Sequence, residues 1–195
     1  MSRIRWLQMA GVVLLIAGCE LPVTDEPKSA EAGRGGAGSP RPSAKGGGDG
    51  AFVEFQPKDG GFKVLMPGQP QVRSQNEPGR AVTMYCVENA NGAYSVGVVE
   101  VKLPPNTPQE MILEMGCRGA VRSVQGKVTK SKTISLEGKY PGREVSADMG
   151  KDGGVFRARF YLVGPRIYQV LVMGYSDWVS SADADKFLDS FALTK

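Results

Sequence analysis

Between Arg143 and Gly174 three runs of alternating character are separated by two short turns, and a single register gives them one clean apolar face. The turn Gly150–Gly154 sets Glu144 opposite Arg159, Ser146 opposite Arg157 and Ala147 opposite Phe156. Gly164-Pro165 sets Leu162 opposite Ile167 and Ala158 opposite Leu171. Val145, Ala147, Met149, Phe156, Ala158, Phe160, Leu162, Ile167, Leu171 and Met173 then share a face, with Gln169 the one misfit. Side chains alternate along a strand, so a slip of one residue would move the whole set to the other face. The stretch is therefore read as an antiparallel meander. Its opposite face is mixed: Glu144, Ser146, Arg157, Arg159, Tyr161, Tyr168, Val170 and Val172. The side from Tyr168 to Val172 is too apolar to be wholly wet, so a further layer is expected over part of it.

Other elements follow from local pattern. Residues 52–55 and Phe62–Met66 read as short strands, with Gly60-Gly61 turning between them and Pro67-Gly68 ending the second. Residues 82–88 and 94–101 read as a hairpin around Asn91-Gly92, a pair that tolerates positive φ, and Pro104-Pro105 stops the second strand. Thr107-Pro108-Gln109-Glu110 has the form of a capping box with proline at the first helical position. Leu113, Cys117, Ala120, Val121 and Val124 fall on one helical stripe. Gly116 and Gly119 weaken that helix but suit close packing on a sheet. Ser180 or Ser181 caps a last helix with Ala184, Phe187, Leu188 and Phe191 as its apolar stripe, and Asp183 and Asp185 at its positive end. The fold class expected is α+β, an antiparallel sheet packed with two or so helices.

Four segments carry a family resemblance: Phe62-Lys63-Val64-Leu65-Met66-Pro67-Gly68, Tyr140-Pro141-Gly142-Arg143-Glu144, Arg166-Ile167-Tyr168-Gln169-Val170 and Phe187-Leu188-Asp189-Ser190-Phe191. Their order along residues 52–193 resembles the PsbP-like family and uncharacterised bacterial lipoproteins of the same layout. The resemblance implies an αβα sandwich and a non-catalytic binding role. It transfers no site residue.

The N-terminus has a different character. Arg3 and Arg5 precede an apolar stretch, Trp6 to Ala17, too short for the ~20 residues that span a bilayer. This is the form of a secretory signal. Leu15-Ile16-Ala17-Gly18-Cys19 resembles the lipobox of bacterial lipoproteins. The resemblance implies cleavage after residue 18 and acyl chains on Cys19; more than one chain anchors stably to a membrane. Glu20 after the cysteine, where Asp would favour inner-membrane retention, favours the outer membrane. Residues 19–50 are then the lipidated cysteine and a linker rich in Gly, Pro, Ser and Ala, without an aromatic residue. Such a segment buries too little apolar surface to offset its ordering entropy. Its r.m.s. reach is roughly 30 Å. Residues 51–195 form one domain of ordinary size.

Chemistry is constrained by what the chain lacks. It has no histidine, which removes Ser-His-Asp and Cys-His catalysis and the commonest metal ligand. Beyond Cys19 the cysteines are Cys86 and Cys117, either a disulfide pair across the sheet–helix layer or two buried thiols. Asp183, Asp185 and Asp189 lack the pattern of a calcium loop. The glycines of 150–154, beside Asp148 and Asp152, lack that of a phosphate loop. No catalytic residue, metal site or cofactor is expected. Losing Arg3 and Arg5 with the signal lowers the formal net charge of +4 by two. No basic block marks a nucleic-acid binder.

The expectation is a non-enzymatic binding or scaffold module, lipid-anchored in the cell envelope with its domain facing the periplasm and an unidentified envelope protein as partner. Glu144, Arg157, Arg159, Tyr161 and Tyr168 form the candidate contact surface; read structurally, Glu144 and the two arginines are cross-strand ion pairs. The alternative is a carrier or sensor of a small amphipathic or apolar ligand held between sheet and helices.

Overall fold

We describe the protein through a computed structural model, over residues 51–77, 80–101, 106–149 and 154–194. The stretches expected to be signal and tether, Cys19, Pro104-Pro105 and the interior of the Gly150–Gly154 turn lie outside these residues. In chain order the elements are β1 (Val53–Phe55), β2 (Phe62–Met66), β3 (Gln71–Glu77), β4 (Arg80–Glu88), β5 (Gly92–Val101), α1 (Gln109–Ser123), β6 (Gly126–Leu136), β7 (Tyr140–Met149), β8 (Gly154–Val163), β9 (Arg166–Gly174), α2 (Ser176–Val179), α3 (Ala182–Asp189) and β10 (Ala192–Leu193). The main sheet is antiparallel with order β3-β4-β5-β9-β8-β7-β6, and a small sheet has order β1-β2-β10.

The meander pairs as its alternation requires. Glu144 is opposite Arg159, Ser146 opposite Arg157, Leu162 opposite Ile167 and Ala158 opposite Leu171. The predicted apolar face joins Ile112, Leu113, Cys117, Ala120 and Val121 of α1 in one core. Gln169 is buried within that face. Its cross-strand partner is Gly97, over whose Cα the glutamine side chain lies, so the missing side chain of one makes room for the other.

The other face is covered throughout its middle. Tyr161, Tyr168, Val170 and Val172 form a second core with Phe62, Val64 and Met66 of β2 and with Ala184, Phe187, Leu188 and Phe191. The molecule is thus layered: α1, the seven-stranded sheet, then α2, α3 and the small sheet. Ser181 caps α3, its hydroxyl accepting from the Ala184 N–H at 3.3 Å. The chain then pairs β10 with β2, and the Ser190 hydroxyl accepts from the Leu65 N–H at 2.9 Å.

Two local details differ from expectation, and two further strands are present. The helix does not take Thr107 as its cap: Pro108 is itself the N-cap, in an extended conformation without a side-chain cap, two residues after Asn106 with φ 67°. The β4–β5 hairpin turns at Asn91-Gly92 as expected, but Asn91 does not take a positive φ. Instead the Asn89 side chain accepts from the N–H groups of Asn91 and Gly92, at 2.9 and 3.0 Å. Finally, β3 and β6, which carry no clear apolar alternation, are strands. Both are sheet edges, where the ladder needs backbone groups on one side only.

Gly92 and Gly174 face each other on β5 and β9 beneath Trp178. A Cβ on Gly174 would stand 2.3 Å from the Asn91 carbonyl oxygen and 2.9 Å from Trp178 Cε3. Overpacking of this kind costs about 1–3 kcal/mol or more. Gly174→Ala is expected to lower the free energy of urea unfolding by that amount; an unchanged midpoint would show that the two strands separate freely here.

Candidate functional site

The charged residues singled out by sequence converge at the β7 end of the meander, beside β6. Glu144 sits on β7 with its side chain about one-tenth exposed. Arg159 Nε, on β8, donates to Glu144 Oε2 at 2.7 Å. Arg157 Nε lies 3.6 Å from Glu144 Oε1, and Lys132 Nζ, on β6, lies 3.4 Å from the same atom. Both arginines also reach the layer above. Arg157 Nη1 pairs with Asp185 at 2.6 Å. Arg159 Nη1 pairs with Asp189 at 2.7 Å and donates to the Leu188 carbonyl at 3.0 Å. These contacts tie three sheet strands to α3.

Burial alone would push the Glu144 carboxyl up. The hydrogen bond and charge of Arg159, with Arg157 and Lys132, outweigh it and hold the carboxyl below its ordinary range. The Arg159 guanidinium is raised in turn: its bonds to Glu144 and Asp189 overcome the opposing effect of burial. The pairs are mutually satisfied, which is what lets such charges sit with so little exposure.

The two tyrosines do not belong to an exposed surface. Tyr161 is 4 % exposed and Tyr168 is 2 % exposed. Tyr161 stacks on Phe191 at 5.7 Å between ring centroids. The Tyr168 hydroxyl donates to the Gly60 carbonyl at 3.1 Å, beneath β2. The contact surface expected from sequence is therefore corrected. Tyr161 and Tyr168 are core, Arg159 is a tie between layers, and only Glu144, Arg157 and their neighbours border solvent.

What they border is an open cleft of about 780 Å³. Glu144, Ser146 and Arg157 make its floor. Thr129, Lys130, Ser131 and Lys132 of β6 form one wall, and Ser180 and Asp185 the other. Sequence reasoning missed the β6 wall because an exposed edge strand has no apolar period to detect; its signal is three lysines among small polar residues.

Cys86 and Cys117 are free and buried. Both line the α1-side core, but α1 packs over β6, β7 and β8, whereas Cys86 is on β4 with β5 and β9 intervening. Three strand spacings separate β4 from β8, about 14 Å, against the ~7 Å between Cα atoms that a disulfide tolerates. The candidate disulfide is not formed. Burial pushes each thiol up to about 12, helped at Cys86 by Glu88 and opposed at Cys117 by Arg143. Among the described residues, no group of three or more His, Cys, Asp or Glu side chains is placed to hold a metal ion.

No family model and no curated protein matches this chain. Solved structures do. CyanoP, the cyanobacterial PsbP of Synechocystis sp. PCC 6803, superposes with a TM-score of 0.54 at 11% identity, covering 78% of this chain and 98% of that one. PA94, a Pseudomonas aeruginosa protein of unknown function, gives a TM-score of 0.42 at 10% identity, covering 70% of this chain and 91% of the other. At such identity the likeness to CyanoP concerns architecture alone, and on that ground the layered α+β domain described here has a PsbP-like fold.

Proposed function

We propose that this chain is a bacterial lipoprotein whose PsbP-like domain is a non-enzymatic binding or scaffold module of the cell envelope, held by acyl chains on Cys19 and facing the periplasm, with the outer membrane favoured by Glu20. The observation that carries the reading is the order Leu15-Ile16-Ala17-Gly18-Cys19 behind a basic start and a short apolar run. The glycine- and proline-rich stretch that follows has the composition of a spacer. A surface site is favoured over an internal carrier pocket by the two cores. Phe62, Phe156, Phe160, Phe187 and Met66 are all under 2 % exposed and fill the interlayer space as packing. The open cleft beside β6 is the surface offered to a partner.

The test is metabolic labelling of the full chain with an alkynyl palmitate in a bacterial host, followed by detergent-phase partition. Wild type is expected to label and enter the detergent phase, and Cys19→Ala to do neither. Wild type without label would sink the lipoprotein reading. Cross-linking in native membranes tests the binding role: links from the β6 wall to a single envelope protein are expected, and their absence at good recovery would count against it.

A further inference from the structure

The edge of the main sheet at β6 combines features that, Lys132 apart, the tie to α3 does not use. β6 runs for eleven residues, pairs only with β7 among the described strands, and is exposed from Lys127 through Thr133. Its outer row of backbone donors and acceptors is thus open. Successive side chains of a strand point to opposite faces, yet four consecutive residues, Thr129 to Lys132, border the same cleft. A register shift between Val128 and Lys130 leaves Thr129 unpaired with β7. A bulge of this kind twists a strand and re-aims its edge, here bringing edge and side chains together on the cleft.

The charge is equally one-sided. β6 carries Lys127, Lys130 and Lys132 and no acidic residue. Lys130 makes no ion pair among the described residues. Lys132 is 63% exposed although it stands 3.4 Å from Glu144. The acids of the cleft are already engaged: Glu144 by Arg159, and Asp185 by Arg157. An arriving ligand therefore meets surplus positive charge along a strand edge left unpaired by the described residues. A second copy of this edge is disfavoured, because pairing β6 with β6 would bring together two strands that carry lysines and no acid.

We infer that the β6 edge and its cleft take an extended acidic peptide segment of a partner protein, which adds as an eighth strand with alternate carboxylates on Lys130 and Lys132. Main-chain hydrogen bonds supply the grip in such strand addition, and the alternating side chains supply the selection. This inference rests on the binding-module reading and gives that module its partner class. Lysines on an edge also discourage unwanted pairing. Here they do so selectively, rejecting neutral and basic strands and admitting acidic ones.

The probe is a fluorescein-labelled ten-residue peptide of alternating Glu and Thr, titrated by polarisation against the full-length protein in neutral detergent micelles. Alternating Lys and Thr is the control peptide. The acidic peptide is expected to bind, more weakly as salt rises, and the basic one not to bind. The double variant Lys130→Ala, Lys132→Ala is expected to weaken binding at least tenfold while keeping the wild-type unfolding midpoint; Lys58→Ala, on an exposed lysine far along the chain, is expected to change nothing. Two further peptides carry N-methyl groups on alternate residues in opposite phases. Strand addition predicts that one phase abolishes binding and the other preserves it, since a strand presents its N–H groups alternately to either side. Binding indifferent to both phases would reduce the interaction to charge attraction and overturn the inference, as would no binding at all. Either result leaves the palmitate experiment untouched, so failure of the partner class is separable from failure of the envelope-module reading.

Discussion

Glu144→Ala is expected to cost about 3–5 kcal/mol at neutral pH, the range for removing one partner of a buried ion pair. The size follows from what stays behind. Arg159 keeps its place, with its side chain 16% exposed, after losing a 2.7 Å hydrogen bond. Arg157, 21% exposed, loses its second acid. Lys132 is largely solvated and adds little. The same carboxylate links stability to pH. Its pKa in the folded chain lies below the ordinary value of 4.5. The unfolded chain therefore binds the proton first as pH falls. The stability that Glu144 contributes is complete above its unfolded pKa and is lost as pH drops through the lower folded one. Urea unfolding of wild type and variant at pH 7 and at successively lower pH checks both parts. The gap is expected to be widest near neutrality and to narrow below about pH 4.3. A gap under 1 kcal/mol would show that the network is ornamental, and one that holds its size into strong acid would show that Glu144 acts through packing and not through its charge. Glu144→Gln, which keeps an acceptor for Arg159 but no charge, is expected to fall between the two.

The second large effect is at Phe62. This ring is fully buried and meets four others: Phe55 at 6.5 Å, Tyr85 at 5.6 Å, Tyr168 at 6.0 Å and Phe191 at 5.5 Å. It is the point where β2, the main sheet and the C-terminal segment interlock. Phe62→Ala removes the transfer energy of the ring and leaves a cavity walled by other rings, a combination that costs about 3–5 kcal/mol. Phe62→Leu keeps most of the volume and is expected to cost about 1.5 kcal/mol or less. Hydrogen exchange gives the location of the damage. Amides of β2 and β10 are expected to lose protection in Phe62→Ala, including that of Leu65, while those of the β7–β8 ladder keep theirs. Equal loss in both places would mean that the small sheet has no separate stability, and a cost below 1 kcal/mol would remove Phe62 from its role as a keystone.

Legibility differed by element for reasons that can be stated. The meander was readable because each strand is buried and paired on both sides, so alternation and register had to agree across three strands at once. The stripes of α1 and α3 were readable for the same cause at helical period. β6 was not, since an edge strand exposed from Lys127 to Thr133 carries no burial signal. The helix cap fell one position later than the box predicts, at Pro108, behind a left-handed residue at Asn106 that no sequence pattern marks. Tyr161 and Tyr168 were misplaced as surface because their cover comes from β2 and Phe191 rather than from neighbours in sequence.

Sequence alone determined the strand register between Arg143 and Gly174, the α+β class and the absence of imidazole chemistry, because these depend on local period and on which side chains exist. Only the tertiary structure decided that Glu144 and its arginines are a tie with one open flank, that the tyrosines are core, that Cys86 and Cys117 stand strands apart, and that the free surface lies along β6. Those depend on which distant segment covers which face, and covering is a property of layers packed in three dimensions that no window of residues carries.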